Sequence, residues 1–181
     1  MPYHFSSPTY SCHLETHLCA WPGGCRRRVA IGLPMCWQHS RMAYGVRVGP
    51  STIPEAGRGL FARRAFRKGE VICPYGGQLI SVDEVERRYP GDTLAPYVEQ
   101  ISDTEYRDAA CVRGLGSMAN GMARRADCNA ETFVRRDRTP WLRAFKPIPE
   151  GTEIFNHYGP EYFAEGTVNT SSTRYVRQRR T

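Results

Sequence analysis

The sequence has no long apolar run. No stretch approaches the roughly 18 apolar residues that a membrane-spanning helix needs, and the N-terminal residues Met1–Phe5 lack the basic and then apolar layout of a secretory signal. A chain of 181 residues has room for one domain of ordinary size and a small additional module. We therefore expect an intracellular protein.

Acidic residues are scarce at both ends of the chain. Residues 1–50 contain five Arg and one Glu, and residues 166–181 contain four Arg and no acid. Because the whole chain has a formal charge of +7, the segment between these ends is close to neutral. The distribution favours contact of the ends with polyanions, through Arg26, Arg27 and Arg28 and through the Arg-rich tail. The alternative is that basic ends only improve solubility.

Helical repeats and a doubly wound alternation of helices and strands are also missing. Short apolar runs between glycine and proline turns predict strands at residues 46–48, 60–62, 71–75, 97–101, 105–110, 131–134 and 141–145. Gly76 and Gly77 are predicted to break the chain after the strand over 71–75. Ser81 and Glu84 have the spacing of a capping box, which predicts a short helix that ends at Pro90-Gly91. The body is therefore predicted to be mainly β and built of small sheets.

No cysteine follows Cys128, and four of the seven cysteines lie within the first 36 residues. This clustering indicates a metal site rather than disulfides, because a disulfide framework would spread its pairs along a secreted chain. The candidate ligands are Cys19, Cys25, Cys36 and His39, separated by five, ten and two residues. Three thiolates and one imidazole would close a tetrahedral zinc site and leave no position for water, as in structural sites.

A module of about 30 residues is too short to bury a core, so bound zinc would supply its folding free energy. A short helix is predicted to start at Cys36. Cys12, His13 or His17 could replace one ligand, and reduced, unliganded thiols are the alternative to a metal site.

Three glycines and an asparagine lie between Arg113 and Gly121, where neither helical nor strand periodicity is present. Such a stretch predicts residues with positive φ, or close approach of the main chain to a ligand or another segment. A plain surface loop is the alternative.

Several segments, taken in their order, resemble the SET domain, a family of S-adenosylmethionine-dependent protein lysine methyltransferases. The resemblance covers residues 45–163. Ala56–Ala62 is similar to the family's Gly-x-Gly segment, and Pro74–Gly77 is similar to its Tyr-x-Gly. Tyr106–Ala109 is similar to its strand ending in Asp-Ala, and Asn120 and Asn129 are similar to its two asparagines. Gly151–Tyr158 is similar to its Gly-Glu-Glu-Leu-x-x-Asp-Tyr ending. Each match alone is weak, and the order carries the resemblance. It implies a β-clip of small curved sheets with few short helices.

The resemblance also implies roles for individual residues. Tyr158 would be catalytic at the end of a lysine channel that Tyr75 lines, with Tyr162 as a weaker candidate. Main-chain groups of Arg58 and Gly59, and of Asn120 and Gly121, would bind the cofactor. In the family the final segment threads past the asparagine loop, so both strands are needed to form the site.

Methyl transfer from a sulfonium to an amine is an in-line displacement, which mainly requires alignment of the two groups and exclusion of water. An exposed lysine has a pKa of about 10.4, and an apolar channel and the sulfonium charge would both lower that pKa. No strong base is therefore required. A tyrosine hydroxyl can accept a hydrogen bond from the amine and hold it in line.

Four positions depart from the family pattern. Gly121 replaces the usual histidine, Met122 the serine and His157 the aspartate before the last tyrosine. Asn156 stands where the family generally has phenylalanine or tyrosine, at a position linked to the number of methyl groups added. The cysteine-rich segment that follows many SET domains has no counterpart after Cys128, so Tyr162-Phe163 or the Arg-rich tail would have to close the channel.

We therefore predict an N-terminal segment over residues 1–44 with its zinc module at about 19–40, a SET-like domain over 45–163 and a basic tail over 164–181. The predicted activity is methylation of lysine in histone tails or another basic nuclear protein, which favours the nucleus. Acids in the 97–110 hairpin (Glu99, Asp103 and Glu105) would either select a basic peptide or only protect an exposed sheet edge against aggregation. A SET-like scaffold that only binds chromatin or nucleic acid, and an enzyme for another substrate such as a ribosomal protein, are the alternatives.

Overall fold

The computed structural model describes residues 3–6, 9–14, 16–29, 31–90, 95, 97–122 and 124–158. The prediction of a mainly β fold is confirmed, since two short α-helices accompany fourteen strands in the described part. The helices are α1 (Trp37–Tyr44) and α2 (Val82–Arg88), and two 3-10 turns span Gly116–Met118 and Arg125–Asp127. None of these helices is long and apolar enough to cross a membrane.

The strands are short, as the dense glycine and proline punctuation predicts. They are β1 (Tyr3–Ser6), β2 (Ser11–Leu14), β3 (His17–Leu18), β4 (Arg28–Val29), β5 (Val46–Pro50), β6 (Arg58–Ala62), β7 (Val71–Pro74), β8 (Gly76–Ser81), β9 (Val98–Gln100), β10 (Glu105–Arg113), β11 (Ala130–Val134), β12 (Pro140–Ala144), β13 (Glu153–Ile154) and β14 (Asn156–His157).

These strands form five small sheets with the spatial orders β1-β2, β3-β4, β13-β6-β5, β8-β10-β9 and β14-β11-β12-β7. β14 runs parallel to β11, with Ala130 opposite Asn156, whereas the other described strand pairs are antiparallel. A parallel pair needs a long crossover rather than a hairpin. The crossover brings β14 back beside the glycine-rich segment.

Local sequence signals account for both helices. Ser81 Oγ accepts a hydrogen bond from the Glu84 N–H at 3.3 Å, so the predicted N-cap of α2 is confirmed. α1 begins directly after Cys36 and ends at Gly45, which has φ 67° and donates its N–H to Arg41 O.

Two strand predictions were wrong in detail. The chain leaves one sheet after β7 and enters another at Gly76, so a break is present, but Gly76 and Gly77 lie within β8, which was not predicted. Their φ values of 87° and 94° are available to glycine at little cost. β10 continues to Arg113, three residues beyond the predicted end, because its pairing with β8 shifts register between Asp108 and Arg113.

The largest core cluster joins the N-terminal module to the sheets. Val29, Ile31 and Leu33 of the module are buried in the same cluster as Val46 and Leu60. The predicted division at residues 44 and 45 stays a prediction, and a shared core means that the two segments stabilise each other. The predicted tail lies outside the described residues.

A second core cluster, which includes Ile80, Val85 and Tyr106, lies around a buried ion pair beneath α2. Arg88 Nη1 lies 2.9 Å from Asp108 Oδ2, and the Tyr89 hydroxyl donates to the same oxygen at 3.0 Å. The Ala110 N–H donates to the other Asp108 oxygen. Because the charges are paired and hydrogen-bonded, the carboxylate of the Asp-Ala segment holds α2 against β10.

Candidate active site and metal centre

The glycine-rich segment lies against another part of the main chain. A Cβ on Gly114 would overlap the carbonyl of Tyr75, and one on Gly116 would lie 2.8 Å from the Tyr75 Cα. Neither glycine has a positive φ. Of the two reasons predicted for this glycine-rich stretch, the structure therefore has the close approach of its main chain to another segment. Tyr75 itself is buried, and its N–H donates to Pro140 O at 2.9 Å.

Tyr158 packs directly on Gly121. A Cβ at position 121 would overlap the Tyr158 ring, so the ring occupies the space that any side chain at this position would need. The Tyr158 hydroxyl donates a hydrogen bond to the carbonyl of Ala119. Both contacts fix the tyrosine against the segment that contains Asn120.

Asn120 joins this segment to the start of β6. Its Nδ2 donates to Arg58 O and Ser51 Oγ, both at 3.0 Å, and lies 3.1 Å from Glu153 Oε1. The main-chain carbonyl of Asn120 accepts the Asn156 N–H at 2.8 Å, next to a parallel β-bridge between Gly121 and Asn156. Four of the predicted site residues, Arg58, Asn120, Gly121 and Tyr158, are thereby brought together.

Asn129 holds the returning chain in place. Its Nδ2 donates to Glu153 O at 2.9 Å, while its Oδ1 accepts the Phe155 N–H at 2.9 Å. A side-chain amide that pairs with both main-chain groups of a passing strand fixes that strand's register. Asn129 therefore secures the segment that carries Tyr158.

Glu153 is a functional candidate that the sequence did not single out. Its carboxylate is buried and accepts hydrogen bonds from Ser51 Oγ at 2.8 Å, Thr52 N at 2.6 Å and Thr52 Oγ1 at 2.5 Å. A Cβ on Gly59 would overlap Glu153 Oε1, which explains the glycine in the Gly-x-Gly segment. The acidic residue in Gly151–Tyr158 was the signal, but its partners lie about a hundred positions earlier.

Two of the departures from the family pattern carry buried polar atoms. Asn156 is 1% exposed and donates through Nδ2 to Thr132 Oγ1 at 2.9 Å. Within the described part of the chain, its Oδ1 and the Nδ1 of His157 have no hydrogen-bond partner. β14 therefore buries polar side-chain atoms just before Tyr158, where an aromatic residue at position 156 would bury an apolar ring.

The predicted metal ligands converge in space. One ligand atom each from Cys19, Cys25, Cys36 and His39 lies within 4.8 Å of the others. His39 Nδ1 lies 3.3 Å from Cys19 Sγ and 3.5 Å from Cys36 Sγ. The ring of Trp21 stacks on His39 with centroids 4.6 Å apart. This donor set is suited to a metal ion that prefers sulfur and nitrogen.

Cys12 is not a member of this cluster. It forms a disulfide with Cys111 across a sequence separation of 99, whereas the sequence predicted no disulfide. The pairing depends on β2 lying beside β10, which no local pattern reveals. His17 likewise lies outside the cluster, with Nδ1 2.8 Å from Leu18 O.

The hairpin predicted to bear an acidic rim is only partly acidic at its surface. β9 is an edge strand, as expected, but Glu105 forms an ion pair with Arg138, and Glu99 hydrogen-bonds to Thr132. Burial raises the pKa of Glu99 to about 7. Of the three acids, Asp103 is the exposed one.

The chain is similar to known proteins. A family model described as SET domain matches residues 57–159, more than half of the chain. The histone-lysine N-methyltransferase EZH2 of Chaetomium thermophilum is 28% identical over 132 residues, which are 66% of this chain and 8% of that protein. The chain thus spans under a tenth of that relative's length.

Solved structures of polycomb repressive complex 2 are also similar. A chain of the active complex in the stimulated state gives a TM-score of 0.59 at 28% identity, covering 68% of this chain and 16% of that one. A chain of ctPRC2 in an autoinhibited conformation, bound to S-adenosylmethionine, gives 0.54 at 26% identity, covering 71% and 16%.

Proposed function

Because the chain belongs to the SET-domain family, we propose that it is a protein lysine N-methyltransferase that uses S-adenosylmethionine. Its proposed substrate is a histone tail or another basic nuclear protein, as the name of the Chaetomium relative suggests. The observation that carries the proposal is the contact of Tyr158 with Gly121 and Ala119, beside the Asn120 side chain that reaches Arg58.

The proposed role of Tyr158 is to orient the substrate amine. A hydroxyl that donates its proton to a carbonyl presents its oxygen lone pairs as acceptors. With the O–H directed at Ala119, the Tyr158 oxygen is suited to accept a hydrogen bond from a neutral lysine amine. Tyr75, buried behind Gly114 and Gly116, is proposed as a wall of the channel. Tyr162 lies outside the described residues.

The proposed cofactor-binding residues are Arg58, Gly59, Asn120 and Gly121. Arg58 is exposed next to the Asn120 amide, so its guanidinium suits the carboxylate of an amino-acid moiety. Glu153 and Asn129 position these residues rather than bind the cofactor. S-adenosylmethionine supplies the methyl group when it is bound.

We further propose structural zinc at Cys19, Cys25, Cys36 and His39. Donor atoms around a tetrahedral zinc ion with Zn–S distances near 2.3 Å lie about 3.5–3.8 Å apart. The separations within 4.8 Å in this cluster are compatible with that geometry. The closed set of four protein ligands suits a structural rather than a catalytic ion.

A SET-like scaffold without enzymatic activity is the second candidate. The buried polar Asn156 and the glycine at position 121, both departures in the predicted site, favour it. Isothermal titration with S-adenosylmethionine separates the two functions, because a scaffold of this kind would show no binding. Transfer of a labelled methyl group to core histones or to a cell extract then tests the enzyme directly, and failure of both experiments would contradict the proposed activity.

A further inference from the structure

A pocket lies where the N-terminal module meets the first strands of the SET domain. Its volume is about 400 Å³, which is within the size range of small-ligand sites. Its inner wall includes the apolar side chains of Val29, Ile31 and Leu33, which are buried. The inner wall is thus apolar.

The rim of this pocket is cationic and aromatic. Arg27, Arg28 and Arg58 line it, and all three are exposed. Trp37 also lines it with 63% of its surface exposed, and the guanidinium of Arg27 lies 5.6 Å from the Trp37 ring centroid. None of the described lining residues is acidic. Arg27 and Arg28 form no ion pair with the described acids.

An exposed tryptophan beside an arginine offers an aromatic face on which an unpaired base can stack. The ligand must carry an apolar planar group for the wall and Trp37, and an anion for the arginines. A nucleotide has both parts on one unit: the base can stack on an aromatic ring and the phosphate can pair with guanidinium. An acidic peptide would satisfy the arginines but leave the apolar wall uncovered.

We propose that this pocket, defined by Arg27, Arg28, Trp37 and Arg58, binds a nucleotide of a single-stranded nucleic acid. An unpaired base stacks on Trp37, and the adjoining phosphates contact Arg27 and Arg28. The site is additional to the proposed lysine and cofactor sites, and it borders the cofactor segment only through Arg58.

The test uses the full chain, with zinc supplied, and a fluorescent single-stranded oligothymidylate about ten nucleotides long. The binding constant is measured by anisotropy over a series of salt concentrations. Trp37→Ala should weaken binding about 5- to 150-fold, which is the effect of losing one base stack. Trp37→Phe, which keeps an aromatic face, should restore most of the affinity.

Arg26 provides a matched control for charge. It adjoins Arg27 and is exposed, but it does not line the pocket. Arg28→Ala should reduce the slope of log K against log salt by about 0.7, whereas Arg26→Ala should leave that slope nearly unchanged. Equal effects of the two variants would show general electrostatic attraction and overturn the pocket assignment.

Two further outcomes would overturn the proposal. A DNA duplex of the same length that binds more tightly than the single strand would rule out an unpaired base on Trp37. Displacement of the oligonucleotide by saturating S-adenosylmethionine would assign the pocket to the cofactor. Both readouts are independent of methyl transfer, so the proposal can fail while the proposed enzymatic function stands, and the reverse also holds.

Discussion

Tyr158 combines a structural contact with a proposed catalytic one. Its ring packs on Gly121 and its hydroxyl donates to the Ala119 carbonyl. We expect Tyr158→Phe to lower kcat by about 10²–10³-fold, the range for loss of one preorganised hydrogen-bonding group. The Ala119 carbonyl also loses its donor, so the free energy of unfolding should fall by about 1–3 kcal/mol. Single-turnover kinetics and denaturant unfolding measure the two effects separately.

Tyr44→Phe is the control for loss of a hydroxyl, because Tyr44 lies half-buried with its ring against Trp141, outside the predicted site. It should leave kcat unchanged. Wild-type turnover in Tyr158→Phe would contradict the catalytic role.

Glu99 is the residue whose ionisation should affect stability near neutral pH. Burial raises its folded pKa from 4.5 to about 7. Between these values the folded state binds more protons than the unfolded state, so the free energy of unfolding falls as pH rises through this window. Glu99→Gln should remove that part of the pH dependence and leave the variant relatively more stable above pH 7.

Thermal midpoints measured from pH 4 to pH 8, roughly the span of the two pKa values, check this expectation. Glu150→Gln is the matched control, since Glu150 is exposed. Parallel curves for wild type and Glu99→Gln across the window would contradict the raised pKa of Glu99.

At the level of elements, the N-terminal module depends on its proposed metal. Cys36 is buried between β4 and α1, and its Sγ lies close to His39. Cys36→Ser should lose about one zinc per chain and unfold residues 19–39, because zinc contributes about 10–16 kcal/mol in small modules. Metal analysis and hydrogen exchange measure these two losses.

Cys12→Ser is the control for that experiment. Since Cys12 lies in a disulfide rather than in the cluster, the variant should keep its zinc. Zinc-free wild-type protein prepared without chelator would contradict the metal site.

The elements could be predicted where the signal is local. The Ser81 cap, the helix after Cys36 and a strand at β5 follow from neighbouring residues, and the structure has all three. The two glycines at the start of β8 were misjudged, because glycine marks a break as readily as a positive-φ residue within a strand. Local composition does not distinguish these two uses.

The site could be predicted only in part, for a different physical reason. The order of segments brought Arg58, Asn120 and Tyr158 to attention, and the structure places them together. The hydrogen bonds of Glu153 to Ser51 and Thr52 join residues about a hundred positions apart. Such contacts are set by tertiary packing, which hydrophobic periodicity in the sequence does not predict.

At the scale of the whole molecule, apolar packing and a covalent bond are among the described contacts that hold the N-terminal segment to the SET domain. One is the shared core of Val29, Ile31 and Leu33 with Val46 and Leu60. The other is the Cys12–Cys111 disulfide between β2 and β10. The first link contains no disulfide and does not depend on one. The second is lost in a reducing compartment such as the nucleus, where the protein is proposed to act.

The last prediction concerns the contribution of this disulfide to stability. A cross-link that closes a loop of about 100 residues is worth up to about 4.7 kcal/mol in the chain-entropy model, and engineered cases often give less. Oxidised wild type should therefore unfold at a higher denaturant concentration than Cys12→Ser. With reductant and excess zinc the two midpoints should converge, because neither protein then has the cross-link. Mass spectrometry after alkylation counts the free thiols in each sample. Equal midpoints under oxidising conditions, or alkylation of both Cys12 and Cys111 in the oxidised wild type, would show that the link does not form in solution.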